Sequence, residues 1–188
     1  MNVPARIPTA LQTAPFSGFM AVDYMEMIAA GAFGDMRVEL VAGVLEKMMP
    51  AEWKHGECNV TLAVLLAKAY EGLGVRIGSD VIIPIDATTT RAADIIVAKP
   101  GFAGEQTVQG KDLILVVEIA DTSLARDLGA KASDYARGGI PNYWVVDLVG
   151  SAVHVMSAPG EDGYATRTII RFGEDLAVPG TDAVIVVG

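Results

Sequence analysis

A chain of 188 residues is long enough for one well-packed domain and short for two. With 52% hydrophobic but only 6% aromatic residues, Ala, Val, Ile and Leu must build the core, and despite a mean hydropathy of +0.40 no apolar run reaches bilayer-spanning length. The net charge of −9 is the reverse of what a non-specific DNA binder carries, and a lone cysteine, Cys58, excludes an internal disulfide and suits a reducing compartment.

The apolar runs around Leu62–Ala67 and Leu113–Val117 are closed by Lys68 and Glu118. The N-terminus has no basic patch followed by an apolar stretch, so the expectation is a cytoplasmic protein with no membrane partner. Any DNA-binding surface must be local, with Lys54, Arg91 and Arg126 as its candidates.

Residues 1–17, with Pro4, Pro8 and Pro15, read as a flexible arm ahead of a single domain over 18–188. The spacing of Val22, Met25, Met27 and Ile28 predicts a helix over Ala21–Ala30, stopped by Gly31. Arg37–Leu40 and Val44–Met48 flank Ala42-Gly43 and predict a β-hairpin. A helix follows over Glu57–Leu73, ended by Gly72 and Gly74. Strands are expected at Val75–Ile77, Val81–Ile85, Ala93–Ala98 and Leu113–Ile119. A second long helix is expected over Leu128–Arg137, with Asp127 as its N-cap and Gly138-Gly139 as its stop. Tyr143–Asp147, Ala152–Met156 and Tyr164–Arg171 read as a strand meander, and Asp182–Val187 as a last strand. This mixed order argues an α/β (α+β) fold, a mixed sheet flanked by helices.

Two strands each carry one carboxylate in an otherwise apolar run, Asp94 within Ala93–Ala98 and Glu118 within Leu113–Ala120. Alternation puts Asp94 on a face with Ile96, and Glu118 on a face with Val116 and Ala120. Paired strands lie ~4.8 Å apart, so if these two pair, both carboxylates reach one cation. The alternative is that each acid simply ends its strand at the solvent edge. Leu128, Lys131 and Tyr135 fall at i, i+3 and i+7, so Lys131 shares the face that packs on the sheet. A buried ammonium needs an anionic partner. Asp94 and Glu118 qualify from across the interface, while snorkelling to water, or pairing with Asp127 or Asp134 on the same helix, is the other reading.

The block from Val117-Glu118-Ile119-Ala120-Asp121 through Lys131, followed by Tyr135 to Asp147, resembles the signature of the bacterial Uma-type restriction endonucleases of the PD-(D/E)XK nuclease superfamily. Arg37–Gly43 resembles that family's N-terminal hairpin motif, and near the end Ala177–Thr181 also resembles the family. The resemblance implies a restriction-endonuclease-like fold, with the hairpin as an elaboration of the central sheet, and Mg²⁺- or Mn²⁺-dependent hydrolysis of DNA. It implies Asp94, Glu118 and the carbonyl of Ile119 as metal ligands, and Glu39 and Lys131 as further catalytic groups. His55 stands where the family often has a histidine entering the long helix. With Arg126, it is a candidate for contacting substrate. A homodimer is a further expectation. The chain departs from the family pattern at Val44 and Ala93, and carries Ala120 where the wider superfamily has its lysine, so Lys131 would supply that charge across space. The alternative reading is a degenerate member that binds nucleic acid or a protein partner without cutting.

Other chemistries find less support. His55 and Cys58 share a helix face, but no oxyanion site accompanies them. No glycine pattern forms a phosphate loop, and one cysteine rules out a cysteine-rich zinc module.

Overall fold

The computed structural model describes residues 18–50, 52–104 and 107–188; the expected arm at 1–17 lies outside the described residues. Helix α1 spans Ala21–Ala29, followed by the hairpin β1 (Val38–Val41) and β2 (Val44–Lys47). Helix α2 covers Trp53–Ala69 and leads to β3 (Arg76–Asp86) and β4 (Thr89–Ala98). Strand β5 (Leu113–Ala120) enters the segment α3, a run of helix made of an α turn (Leu124–Arg126), a π turn (Asp127–Lys131) and an α-helix (Ala132–Arg137). Then come β6 (Asn142–Asp147), β7 (Ala152–Gly160), β8 (Gly163–Arg171), β9 (Asp175–Ala177) and β10 (Val184–Val186).

Strands β3, β4, β5, β6, β7 and β8 lie side by side, and the β1–β2 hairpin joins the start of β4 through Leu40 opposite Thr90. Among the described residues, only β5 and β6 run parallel. Parallel neighbours need a crossover, and α3 supplies it, which is why this helix lies flat on the sheet. Helix α2 covers the opposite face: Leu62, Leu66 and Tyr70 pack with Ile95, Val97, Leu115, Val117 and Ile119. On the α3 side, Ala132, Tyr135 and Ala136 pack with Ile96, Val116, Tyr143 and Val145. Covered on both faces, β4 and β5 are buried almost throughout, so they read as apolar runs rather than alternating strands. Their alternation carries Asp94 in phase with Ile96 and Glu118 in phase with Val116, both toward α3.

The fold class and the meander follow the sequence reading, while several boundaries move. Helix α2 starts at Trp53 and ends at Ala69, four residues earlier at each end than expected. Its N-cap, Glu52, makes no side-chain capping bond, so the start leaves no local signal. The two short strands expected around residue 80 are one strand, β3. Its pairing with β4 skips Asp80, at φ 57°, yet resumes in the same register. Asp127 is not an N-cap: the helical segment begins at Leu124, and Asp127 sits inside it with helical φ −71° and ψ −36°. Val184–Val186 is a strand as expected, but pairs with β9, which the sequence did not suggest. Among the described residues, no helix is long and apolar enough to cross a membrane.

One close approach fixes α3 in place. A Cβ built on Gly110 would lie 1.9 Å from the carbonyl oxygen of Gly138, at the far end of α3. Gly110→Ala is therefore expected to cost about 1–3 kcal/mol through overpacking. In thermal melts that is about 2–4 °C of Tm for each kcal/mol. A variant as stable as the parent would show that the two backbones do not touch.

Candidate active site

Strands β4 and β5 pair from Ala98 and Leu113 up to Ile95 and Val117, and then part. Asp94 and Glu118 are the next residue on each strand, so they flank the opening. Asp94 Oδ2 accepts the backbone N–H of Ile119 at 2.8 Å, bridging the gap. In an extended strand a residue's N–H and C=O point to the same neighbour. The Ile119 carbonyl is thus turned to the Asp94 side. A cleft of about 480 Å³ opens here, lined by Asp94, Glu118, Ile119, Lys131, His55 and Arg126 among others. The structure therefore brings these six sequence-selected residues together, with Glu39 just behind.

Lys131 lies at the floor of this cleft and is only 1% exposed. Its ammonium donates to Glu118 Oε1 at 2.8 Å and to the Ala92 carbonyl at 3.3 Å, and stands 3.3 Å from Glu39 Oε1. It neither snorkels to water nor pairs with Asp134, whose carboxylate binds Arg91 and Arg137. Asp94 and Glu118 are likewise buried rather than at a solvent edge. Glu39, from β1, accepts the Ala92 N–H at 2.9 Å and Arg91 Nη1 at 3.0 Å. Arg91 in turn donates through Nε to Asp134 Oδ2 at 2.8 Å. This buried guanidinium, 2% exposed, corrects the expectation that Arg91 belongs to a DNA-facing surface.

Charge is unevenly compensated. Burial would raise the Glu39 carboxyl, but Lys131, the Ala92 N–H and Arg91 outweigh it and hold its pKa below the ordinary value. Burial acts on Asp94 in the same way, overcome by the hydrogen bond and charge of His55 and by the Ile119 N–H. Burial alone would pull the Lys131 ammonium down; the carboxylates of Glu118 and Glu39 instead raise it. For Glu118 burial wins, pushing its carboxyl up to about 8 despite Lys131. A buried carboxyl left short of positive charge is where a cation would be accommodated.

The donor set fits a hard divalent ion. Glu118 Oε1 is occupied by Lys131 and by the Tyr135 hydroxyl at 2.6 Å, and Asp94 Oδ2 by Ile119 and His55. Among the described residues no hydrogen bond engages the other oxygen of either carboxylate. Two carboxylate oxygens and one backbone carbonyl are oxygen ligands of the kind Mg²⁺ and Mn²⁺ take, with water and substrate filling the rest. No group of three or more acidic, His or Cys side chains at ligating separation occurs among the described residues, so a metal held by these two carboxylates would take its other ligands from backbone oxygen, water or substrate.

His55 Nε2 lies 3.1 Å from Asp94 Oδ2, and its Nδ1 is buried without a partner. The hydrogen bond to Asp94 raises its pKa, so the imidazole is committed to that carboxylate. Burial pushes the Cys58 thiol up to about 11, which removes it as a nucleophile at neutral pH. Sequence reasoning missed Tyr135, Arg91 and Asp134 as parts of the polar network. The usable signals were Tyr135 one helical turn after Lys131, and a lone arginine inside a strand with no exposed residue.

Comparison with the curated proteins gives no match. Among solved structures, the chain is similar to the crystal structure of a putative nuclease belonging to DUF820 from Anabaena variabilis ATCC 29413. The TM-score is 0.65 at 12% identity, covering 79% of this chain and 86% of that one. At that identity the likeness establishes the fold, a large mixed sheet flanked by helices. The model of the Uma2 family, described as putative restriction endonuclease, matches residues 22–184, a span holding the hairpin, both carboxylate-bearing strands and the lysine helix, and the chain belongs to that family.

Proposed function

We propose that this chain is an endonuclease that hydrolyses DNA phosphodiesters with Mg²⁺ or Mn²⁺, held by Asp94, Glu118 and the Ile119 carbonyl. The observation that carries the reading is Lys131, an ammonium buried between Glu118 and Glu39 at the floor of an open cleft. Such an arrangement is costly for stability alone, because ion pairs of this burial rarely better an apolar replacement. A divalent ion bound there would polarise the phosphate and lower the pKa of a water.

The chain's own groups do the rest. Lys131 and Tyr135 fix one oxygen of Glu118, leaving the other for the ligand position. Lys131 is a fixed positive charge beside the reacting phosphate, where charge builds up during in-line attack. Glu39 keeps that ammonium in place and charged, and His55 orients Asp94. Arg126, at the cleft wall, meets the substrate backbone. Two copies, each cutting one strand, would account for cleavage of a duplex. The free Cys58 accords with action in the cytoplasm.

The test is cleavage of plasmid DNA with Mg²⁺ or Mn²⁺ by the parent protein, Asp94→Ala and Glu118→Ala. Each substitution is expected to lower the rate by about 100-fold or more. Equal activity in all three would mean a contaminating nuclease. The non-cleaving reading draws on the proton that Glu118 retains up to about 8. Calorimetry of the folded protein that detects no Mn²⁺ binding at millimolar concentration would favour it.

A further inference from the structure

Four basic side chains among the described residues line the cleft: Arg37, His55, Arg126 and Lys131. Arg37 is paired with Asp80, His55 with Asp94, and Lys131 with Glu118 and Glu39. Of these, among the described residues, Arg126 alone has no close ion pair, approaching Asp127 Oδ1 through Nε at 3.7 Å. Arg126 is 45% exposed, whereas the Asp127 residue behind it is 1% exposed.

Asp127 is tied down from several sides. Its Oδ2 accepts the hydroxyl of Ser123, another residue of the cleft wall, and its backbone carbonyl accepts Tyr143 OH at 3.0 Å. Its Oδ1 is buried and accepts no hydrogen bond among the described residues. A buried carboxylate oxygen without a donor is destabilising, so stability does not explain this residue. The guanidinium of Arg126 is the nearby group that can satisfy it. Drawing Nε onto Oδ1 fixes the plane of the guanidinium and leaves its two Nη groups as a fork suited to a phosphate, while Ser123, whose one hydroxyl proton goes to Asp127 Oδ2, holds the carboxylate.

We infer that Asp127, held in place by the Ser123 hydroxyl, is a positioning residue that sets the Arg126 guanidinium as a subsite for a phosphodiester neighbouring the one cleaved. This rests on the nuclease reading, since it needs a nucleic-acid strand in the cleft. It also makes a prediction of unexpected sign. Asp127→Asn removes a negative charge, which by simple electrostatics strengthens DNA binding; loss of the positioned guanidinium weakens it.

The experiment is fluorescence anisotropy of a 20-base-pair duplex with Ca²⁺ as the cation, on the full chain. Asp127→Asn and Arg126→Gln are each expected to weaken binding about tenfold, the scale of a charge-assisted hydrogen bond. The double variant should bind no more weakly than Arg126→Gln alone, because Asp127 acts through Arg126. Mn²⁺ affinity of Arg126→Gln without DNA, measured by calorimetry, should stay within about twofold of the parent, since Arg126 is not among the charges that shift Glu118 or Asp94. Ser123→Ala should lower affinity in the same direction, and stands in if Asp127→Asn does not fold. Binding by Asp127→Asn that equals or exceeds the parent, or losses that multiply in the double variant, would overturn the subsite. So would a parent protein that binds no duplex at low salt. Mn²⁺ binding that persists in that case leaves the metal site intact, so the two readings fail separately.

Discussion

Lys131→Met is expected to lose cation-dependent cleavage and roughly 3–5 kcal/mol of stability, the cost of breaking a buried ion pair from one side. Methionine fills similar space, so the loss is electrostatic rather than a cavity. Glu118 and Glu39 both face the missing ammonium, but unequally. Glu39 retains Arg91 and the Ala92 N–H. Glu118, already pushed up to about 8 by burial, can keep its proton and so shed the uncompensated charge. The deficit is therefore smaller at pH 6 than at pH 9, where Glu118 must either ionise without a partner or hold its proton against the solvent. Thermal melts at the two pH values check this, at about 2–4 °C of Tm for each kcal/mol in a chain of this size. Lys54→Met, at an exposed position, is the control and should move Tm by little. A Lys131 variant that melts with the parent and still cuts would remove the ammonium from both roles.

Much of the site was legible because strand alternation and helix spacing are local. A lone acid in an apolar strand, at Asp94 and again at Glu118, identified the carboxylates, and the i, i+3, i+7 pattern placed Lys131 toward the sheet. The resemblance tied them to one chemistry. What stayed hidden depends on contacts far apart in sequence. His55 meets Asp94 across 39 positions, and Arg91 meets Glu39 across 52. Alternation tells which face a side chain takes, not what lies opposite, so Arg91 was as plausible on a DNA surface as in a buried bridge. Propensity also misled at Gly78-Ser79-Asp80, where a local breaker pattern was overridden by pairing with β4 on both sides. The π turn has no sequence signature, and the α turn at Leu124–Arg126 ahead of it put Asp127, an expected cap, into the interior of α3.

Glu118→Gln is expected to be more stable than the parent above about pH 8 in EDTA, while losing Mn²⁺ binding. In the folded chain the Glu118 carboxyl holds its proton up to about 8; unfolded, it releases it near the ordinary 4.5. Between those values the folded state carries one proton more, so its contribution is complete below pH 4.5 and is lost as pH rises to about 8. The slope for one proton is about 1.4 kcal/mol per pH unit. Asp94 and Glu39 do not blur this window, because their carboxyls sit below the ordinary range and lose their stabilising effect only in acid. Glutamine is neutral throughout and can still accept from Lys131 and Tyr135 through its carbonyl oxygen, so the variant should lose this one-proton slope, while His55 and Asp127, whose pKa values are also raised, add the same slope to both proteins. The same proton stands in the way of the metal. Mn²⁺ must displace it, so affinity in the parent should rise about tenfold per pH unit up to about 8, with a proton released on binding. Calorimetry in two buffers of different ionisation enthalpy measures that proton directly. Parallel Tm slopes for the two proteins, or Mn²⁺ affinity unchanged by the glutamine, would show that Glu118 is neither the buried acid nor the ligand described. A substitution that strengthens the fold while emptying the site is what a residue kept for chemistry, at a cost to stability, should produce.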